Sequence, residues 1–420
     1  MREEWKQIEV PEELDQIIDT NLALLKAGQR KKTIQSRVRR GLAVAAVFAC
    51  STIFYMKNPA SAAKLPIIGH IFERIQDSVS FQGDYSGIAK PLNDVSATDN
   101  SEPEAAAASA YTQTAEGITI TLSEIYCNDQ AIYLTMQMKS EKPFPKIMGH
   151  WQFLTEELYS YNQALQGGSP VLEGTLLDAY TYAGMLRLDL NDTTTDNSEL
   201  LRTMEAAEKA GKEIDYSTDN QLFKSQLYKE QVKQVAVPDA FTLDLTLEEL
   251  LSTPEEDASE FLSDKEVSSF DEEEQLIRIK GNWHFTLDVQ KDLSDTQVVD
   301  LHDRVKDEIG FEKVVKDRFE ITMYDTYPDP DMSYDYFPVM LDADGRLMDL
   351  ANTGSCNTVP INDRDVSRVD LFLIDYLLWM DELKGDYWRQ ENTVTEDGRA
   401  YRDLLLEKCA YHTEVVFEEH

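Results

Sequence analysis

The spacing of apolar and polar positions changes character several times along the chain, and each change marks a predicted element. Leu14, Ile17, Ile18, Leu22 and Leu25 recur at i, i+3, i+4, i+8 and i+11, so residues 11–29 are expected to form an amphipathic helix. Pro11 suits its first turn, Glu12, Glu13 and Asp15 favour the positive end of its dipole, and Gly28 marks its end. An uncharged apolar run follows from Gly41 to Met56. A second helical pattern starts at Pro66, with Ile67, Ile68, Ile71, Phe72, Ile75 and Val79 on one face and Glu73, Arg74, Gln76 and Asp77 on the other. Gly83-Asp84-Tyr85 breaks it, and the helix is free either to rest on the outer leaflet or to pack beneath the domain that follows.

Asn93 to Glu116 has almost no large apolar residue and reads as a tether. The period then becomes two. Ile118, Ile120 and Leu122 alternate with Thr119 and Thr121, Asn128-Asp129 sits at a turn, and Ile132, Leu134, Met136 and Met138 alternate again, which predicts a hairpin. From Lys142 to Gln234 the pattern weakens into strand-like pieces (TYAGMLRLDL) and a polar helical stretch (SELLRTMEAAEKAGKE). Strands resume at AFTLDLTLEEL. An acidic loop covers Thr253 to Glu274, and IRIKGNWHFTLDV follows as the closing strand of a β-sandwich, its Trp283, Phe285 and Leu287 facing a core. Gln290 to Glu308 is a polar linking segment. After it, a strand, a loop, a second strand and a turn at Asp344-Gly345 repeat the earlier pattern. SRVDLFLIDYLLWMDELK predicts a buried strand leading into a helix, and YHTEVVFEE a final strand.

The expected fold is mainly β with α segments: an N-terminal amphipathic helix and one transmembrane helix, followed by two β-sandwich-like extracytoplasmic domains. The predicted divisions are a cytoplasmic tail (1–40), a membrane helix (41–57), a juxtamembrane helix and turn (58–92), an acidic linker (93–114) and two β-rich domains (115–291 and 292–420).

Charge sharpens this division. The chain carries −38 overall, yet its first 40 residues hold nine Lys/Arg against seven Asp/Glu, a net of +2, which leaves −40 for the rest. A body that acidic repels phosphate backbones, so nucleic acid is not an expected partner. Sixteen helical residues reach about 24 Å, a little short of a hydrocarbon core of about 30 Å. Arg39, Arg40 and Lys57 can snorkel, and Ala60 to Ala63 extend the apolar path. Arg30, Lys31, Lys32, Arg37, Arg39 and Arg40 precede the run and Lys57 alone follows it, which places the tail in the cytoplasm. A cleaved signal peptide ending near Ser61-Ala62-Ala63, or a lipid anchor on Cys50 in Val47-Phe48-Ala49-Cys50, are the alternatives. Both need a shorter leader, and both still export the body.

Chemistry narrows the function by exclusion. Cys50, Cys127, Cys356 and Cys409 show no CxxC and no zinc spacing, and no disulfide is expected as a structural staple. His70, His150, His284, His302, His412 and His420 form no HxxxH pair. Asp329, Asp331 and Asp335, and Asp342, Asp344 and Asp349, have calcium-ligand character without the EF-hand loop, and the second set reads as a hairpin turn. With no GxSxG elbow, phosphate loop or dinucleotide fingerprint, no enzyme, cofactor or metal centre is expected.

Asn58-Pro59-Ala60, Pro66/Gly69/Phe72, Gly83-Asp84-Tyr85 and Gly117-Ile118-Thr119 together resemble a family of Gram-positive single-pass membrane proteins. The family has an extracytoplasmic domain of unknown function and is often treated as anti-sigma-factor-like. Gly281-Asn282-Trp283-His284-Phe285 is similar to members with a further β domain. The resemblance implies a membrane regulator whose tail holds a sigma factor through residues 11–29, with Leu14, Ile17, Ile18, Leu22 and Leu25 as the contact; a helix lying on the inner leaflet is the competing expectation. A tail of this length offers barely one helix, where typical anti-sigma domains use several. The alternative function is a membrane-anchored envelope-binding or structural protein without a signalling role.

Overall fold

A computed structural model describes residues 71–92, 110–210, 226–255, 276–329, 332–333, 335–351, 356–383, 393–395 and 398–418. They all fall in one compact unit, 67–420. The tail helix, the apolar run, most of the tether and most of the acidic loop lie outside the described residues. Among the described residues no helix is long and apolar enough to cross a membrane.

The fold is mainly β, in several sheets. The strands of the first lobe are β1 (Lys90–Pro91), β2 (Thr112–Ala115), β3 (Ile118–Cys127), β4 (Ala131–Ser140), β5 (Ile147–Tyr159), β6 (Gln166–Gly168), β7 (Val171–Asp178), β8 (Thr181–Asp189), β9 (Thr195–Asp196), β10 (Lys233–Gln234), β11 (Ala240–Pro254) and β12 (Ile277–Gln290). Apart from the small β9–β10 pair they make one ten-stranded antiparallel sheet, ordered β1-β3-β4-β8-β7-β5-β11-β12, with β2 added to β3 and β6 to β5. The sheet curls until β12 meets β2 and β3, and the Trp283 indole donates to the Ile118 carbonyl at 3.1 Å. One sheet folded over its own core therefore stands where two stacked sheets were expected. Trp283, Phe285 and Leu287 are buried in that core as predicted.

The β3–β4 hairpin is as the alternation predicts, with one refinement. A bulge between Leu122 and Glu124 shifts the phase, so Ile118, Ile120 and Leu122 face the core before it and Ile125 and Cys127 after it. Glu116 and Gly117 both have positive φ, 49° and 76°, the backbone that a two-residue hairpin turn between β2 and β3 requires. At the other end, Asn128 accepts from the Gln130 and Ala131 amides at 2.8 and 2.7 Å, closing the turn read from Asn128-Asp129.

The second lobe contains β13 (Gln297–Asp300), β14 (Gly310–Lys316), β15 (Glu320–Thr326), β16 (Tyr336–Leu341), β17 (Leu347–Met348), β18 (Asn357–Pro360), β19 (Arg368–Asp375) and β20 (Tyr411–Val416). They form two four-stranded sheets, β13-β14-β15-β18 and β17-β16-β19-β20. Phe311, Val314 and Ile321 from one meet Val369, Leu371 and Leu373 from the other in a shared core. On the far face of the second sheet, Phe372 and Ile374 pack with Trp379, Tyr401 and Leu405, the last two from helix Tyr401–Lys408. Burial on both faces explains the near-continuous apolar run of β19. The segment Gln290 to Glu308 is more than a linker: it contains β13, an edge strand paired to β14.

Candidate functional site

The segment 71–92, which follows the apolar run in sequence, has the most informative packing. Its described residues open in a helix, Ile71–Ile75, followed by a 3-10 turn over Gln76–Ser78. Ile71, Phe72, Ile75 and Val79 are buried against the outer face of β3, β4 and β8, with Tyr126, Tyr133, Ala183 and Met185. The helix therefore packs on the domain, one of the two expected placements. The Phe72 amide donates to Glu124 at 3.3 Å, and the Ser80 amide and hydroxyl both donate to Glu173 at 2.6 Å.

The same segment also touches the second lobe. Tyr85 is stacked between Phe72 and Phe319, with ring centroids 4.0 Å from each. Phe319 stands at the tip of the β14–β15 hairpin, where the Asp317 amide donates to the Glu320 carbonyl at 2.9 Å. From there it enters an aromatic pocket also walled by Tyr126 and Tyr133. A Cβ on Gly83 would overlap the Phe319 ring, so only glycine allows the segment to lie this close. Asp84 accepts from the Ser86 amide at 2.9 Å and bends the chain back, and the Gln82 amide donates to Asn362 of the second lobe at 3.0 Å. Gly83-Asp84-Tyr85, read from sequence as a helix breaker, is the joint at which the segment 71–92, the first lobe and the second lobe meet.

A polar lock lies beside the aromatic pocket. Glu320, fully buried, accepts from Arg187 Nη2 and Nε at 2.7 and 3.0 Å and from Asn128 Nδ2 at 3.0 Å. Arg187 also pairs with Asp189 at 3.1 Å, and its guanidinium lies 5.1 Å from the Phe81 ring centroid. The Tyr324 hydroxyl lies 2.6 Å from both Gln130 Oε1 and Asn191 Oδ1. Arg187 had one signal in the sequence, a lone cation inside the apolar run GMLRLDL. Phe319, Glu320 and Tyr324 had none, because their partners are remote along the chain.

Next to the lock, Asp317 is buried, accepts from the Thr296 hydroxyl and has an Oδ2 without a hydrogen-bond partner. Burial pushes its carboxyl up to about 7. An open groove of about 700 Å³ runs alongside, lined by Gln82, Asp84, Lys316, Arg318 and Phe417 among others. Arg318 is paired there with Asp295.

The other predicted candidates separate as follows. Leu14, Ile17, Ile18, Leu22, Leu25 and Cys50 lie outside the described residues. Asp342 closes the predicted turn, accepting from the Asp344 and Arg346 amides at 3.1 and 2.8 Å, and Met340 and Leu341 pair with Met348 and Leu347 across it. Among the described residues, no group of three or more His, Cys, Asp or Glu is placed to hold a metal ion. Cys127 and Cys409 carry free thiols, and burial pushes the Cys127 thiol up to about 12, away from thiolate chemistry.

A family described as a domain of unknown function (DUF4179) matches residues 34–140, ending at the last residue of β4. No curated protein matches the chain. Among solved structures it is similar to one described as the crystal structure of the conserved domain protein from Bacillus anthracis, with 12% identity and a TM-score of 0.36, covering 84% of this chain and 100% of that one.

Proposed function

We propose that the chain is a single-pass membrane regulator, anti-sigma-factor-like, in which an extracytoplasmic β-rich body of two lobes is coupled to a cytoplasmic docking helix. One observation carries the reading: the segment that follows the apolar run is wedged where the two lobes meet, with Tyr85 stacked on Phe319. A segment that served only as an anchor would gain no more than the stability of the buried contact from a residue of the second lobe seated against it. Relative movement of the lobes must instead shift or release the segment, because a packed aromatic stack has discrete arrangements rather than a continuum. Arg30, Lys31, Lys32, Arg37, Arg39 and Arg40 before the apolar run, against Lys57 alone after it, support the orientation. Leu14, Ile17, Ile18, Leu22 and Leu25 then form the face that holds the cytoplasmic partner, a sigma factor.

The full chain, purified from membranes, is expected to bring down a sigma factor, and Leu22→Asp to lose it. Capture that survives Leu22→Asp, or membranes that yield no sigma factor at all, overturns the docking role. Retained surface binding after removal of residues 2–29, with unchanged transcription, would instead establish the envelope-anchor function.

A further inference from the structure

Asp317 is a buried acid at the joint with one oxygen left without a hydrogen bond. It opens the turn whose tip is Phe319, and among the described residues no cation pairs with it. The neighbouring cations are engaged elsewhere: Arg318 with Asp295, Lys291 with Asp129 at 2.8 Å, and Arg187 with Glu320 at 2.7 Å. Lys316 lies over the Phe417 ring at 5.8 Å. What faces Asp317 is mostly acidic: Glu320 of its own hairpin and Asp129 of the β3–β4 turn disfavour its charge, the Thr296 hydroxyl and Lys316 favour it, and Tyr126 and Cys127 stand within reach of its field.

A carboxylate at this point is a buried charge with one oxygen unpaired and acids around it. A neutral carboxyl removes the charge and leaves only one unpaired hydroxyl, a much smaller cost. The two protonation states therefore stabilise the turn, and the Phe319 plug it carries, to different degrees.

We propose that this turn is a proton-operated latch: a proton on Asp317 holds Phe319 in the aromatic pocket that seats the membrane-side segment, and its loss to solvent loosens the joint. The inference names a signal for the coupling reading above and rests on it for its biological meaning, while its test does not involve the tail. The direction follows from linkage. The carboxyl sits at about 7 in the closed joint and at 3.8 when exposed, so the stabilisation is complete below about 4 and is lost as pH rises to about 7. Opening should increase roughly tenfold per pH unit between about 5 and 6.5 and level off above 7.

The test is hydrogen exchange on the full chain in lipid nanodiscs, read locally at 71–85 and 317–324 and corrected for intrinsic exchange. A local readout is needed because Glu157, buried in the first lobe, is also shifted upward by its burial. Wild type should exchange tens of times faster in these peptides at pH 7.5 than at pH 5, and Asp317→Asn should show no such change. Equal corrected exchange at both pH values, or an unchanged pH response in Asp317→Asn, overturns the latch. If Asp317→Asn does not fold, Thr296→Val decides: loss of the hydrogen bond to the carboxylate should move the levelling-off to higher pH, and an unmoved profile overturns the proposal. Loss of sigma-factor capture by the tail leaves each of these readouts intact, so the two ideas fail separately.

Discussion

The rings of Tyr85 and Phe319 stack with centroids 4.0 Å apart and planes 23° from parallel, joining a residue that follows the predicted span to the tip of a hairpin in the second lobe. Phe319 also meets Tyr126 and Tyr133 edge-on, so its loss opens a cavity shared by three parts of the chain. Phe319→Ala should cost about 3–5 kcal/mol of stability by urea denaturation, with the first loss of protection at 71–85. A cost below about 1 kcal/mol, or protection lost first elsewhere, would make the stack incidental.

Gly83 offers a sharper probe of the same contact. Its added methyl in Gly83→Ala meets the Phe319 ring, and its φ of 154° lies where side chains are rarely accommodated. Gly83→Ala alone should therefore destabilise by roughly 1–3 kcal/mol. In the Phe319→Ala background the methyl has room, so only the backbone part of that cost should remain. The coupling energy from the double-mutant cycle should reach at least about 0.5 kcal/mol; strict additivity would mean that the two residues do not press on each other.

Arg187 and Glu320 form the polar counterpart of this stack, with side-chain exposures of 7% and 0%. Removal of one partner strands the other charge in a buried site. Arg187→Met should thus cost about 3–5 kcal/mol, and adding Glu320→Gln to that variant should restore part of the loss although it deletes another charge. Further destabilisation by the second substitution would show that the pair contributes through packing rather than charge.

Much of the strand content was legible because it rests on local pattern: the β3–β4 hairpin, β11, β12 and β20 alternate, and β19 shows as a near-continuous apolar run. β5 was not, and its burial pattern shows why. Trp151, Phe153, Thr155, Glu157 and Tyr159 point inward while Leu158 is exposed. Glu157 is tolerated inside because Tyr159 and Thr155 donate to it at 2.7 Å, a compensation invisible to hydropathy. The joint was half legible. Gly83-Asp84-Tyr85 stood out as a motif, but Phe319 reads only as an aromatic beside a strand, and nothing in a linear pattern says that the two share a pocket. The apolar face of 71–79 was equally legible, yet a lipid surface and a covered sheet demand the same spacing of residues.

Asp370 titrates in the opposite sense from Asp317 and separates the joint from the rest of the second lobe experimentally. It accepts from Arg402 Nε and Nη2 at 2.8 Å each and lies 2.7 Å from His412 Nε2, all on or beside the β19–β20 pair. Burial opposes its charge, but the His412 and Arg402 hydrogen bonds outweigh it and hold the carboxyl down at about 2 from 3.8. A depressed acid stabilises the fold above its unfolded value and loses that contribution as pH falls through the folded one, so the effect is confined to about pH 4 down to 2. With Arg402 one-third exposed, solvent screening keeps the contribution to at most about 2 kcal/mol. Hydrogen exchange over 368–375 and 411–416 should therefore quicken between pH 4 and pH 2 in wild type, and much less so in Asp370→Asn. The Phe319 turn should tighten, if it changes at all, over the same fall in pH. A response of both sites in the same direction would mean that acid acts on the body as a whole, not through these two carboxyls.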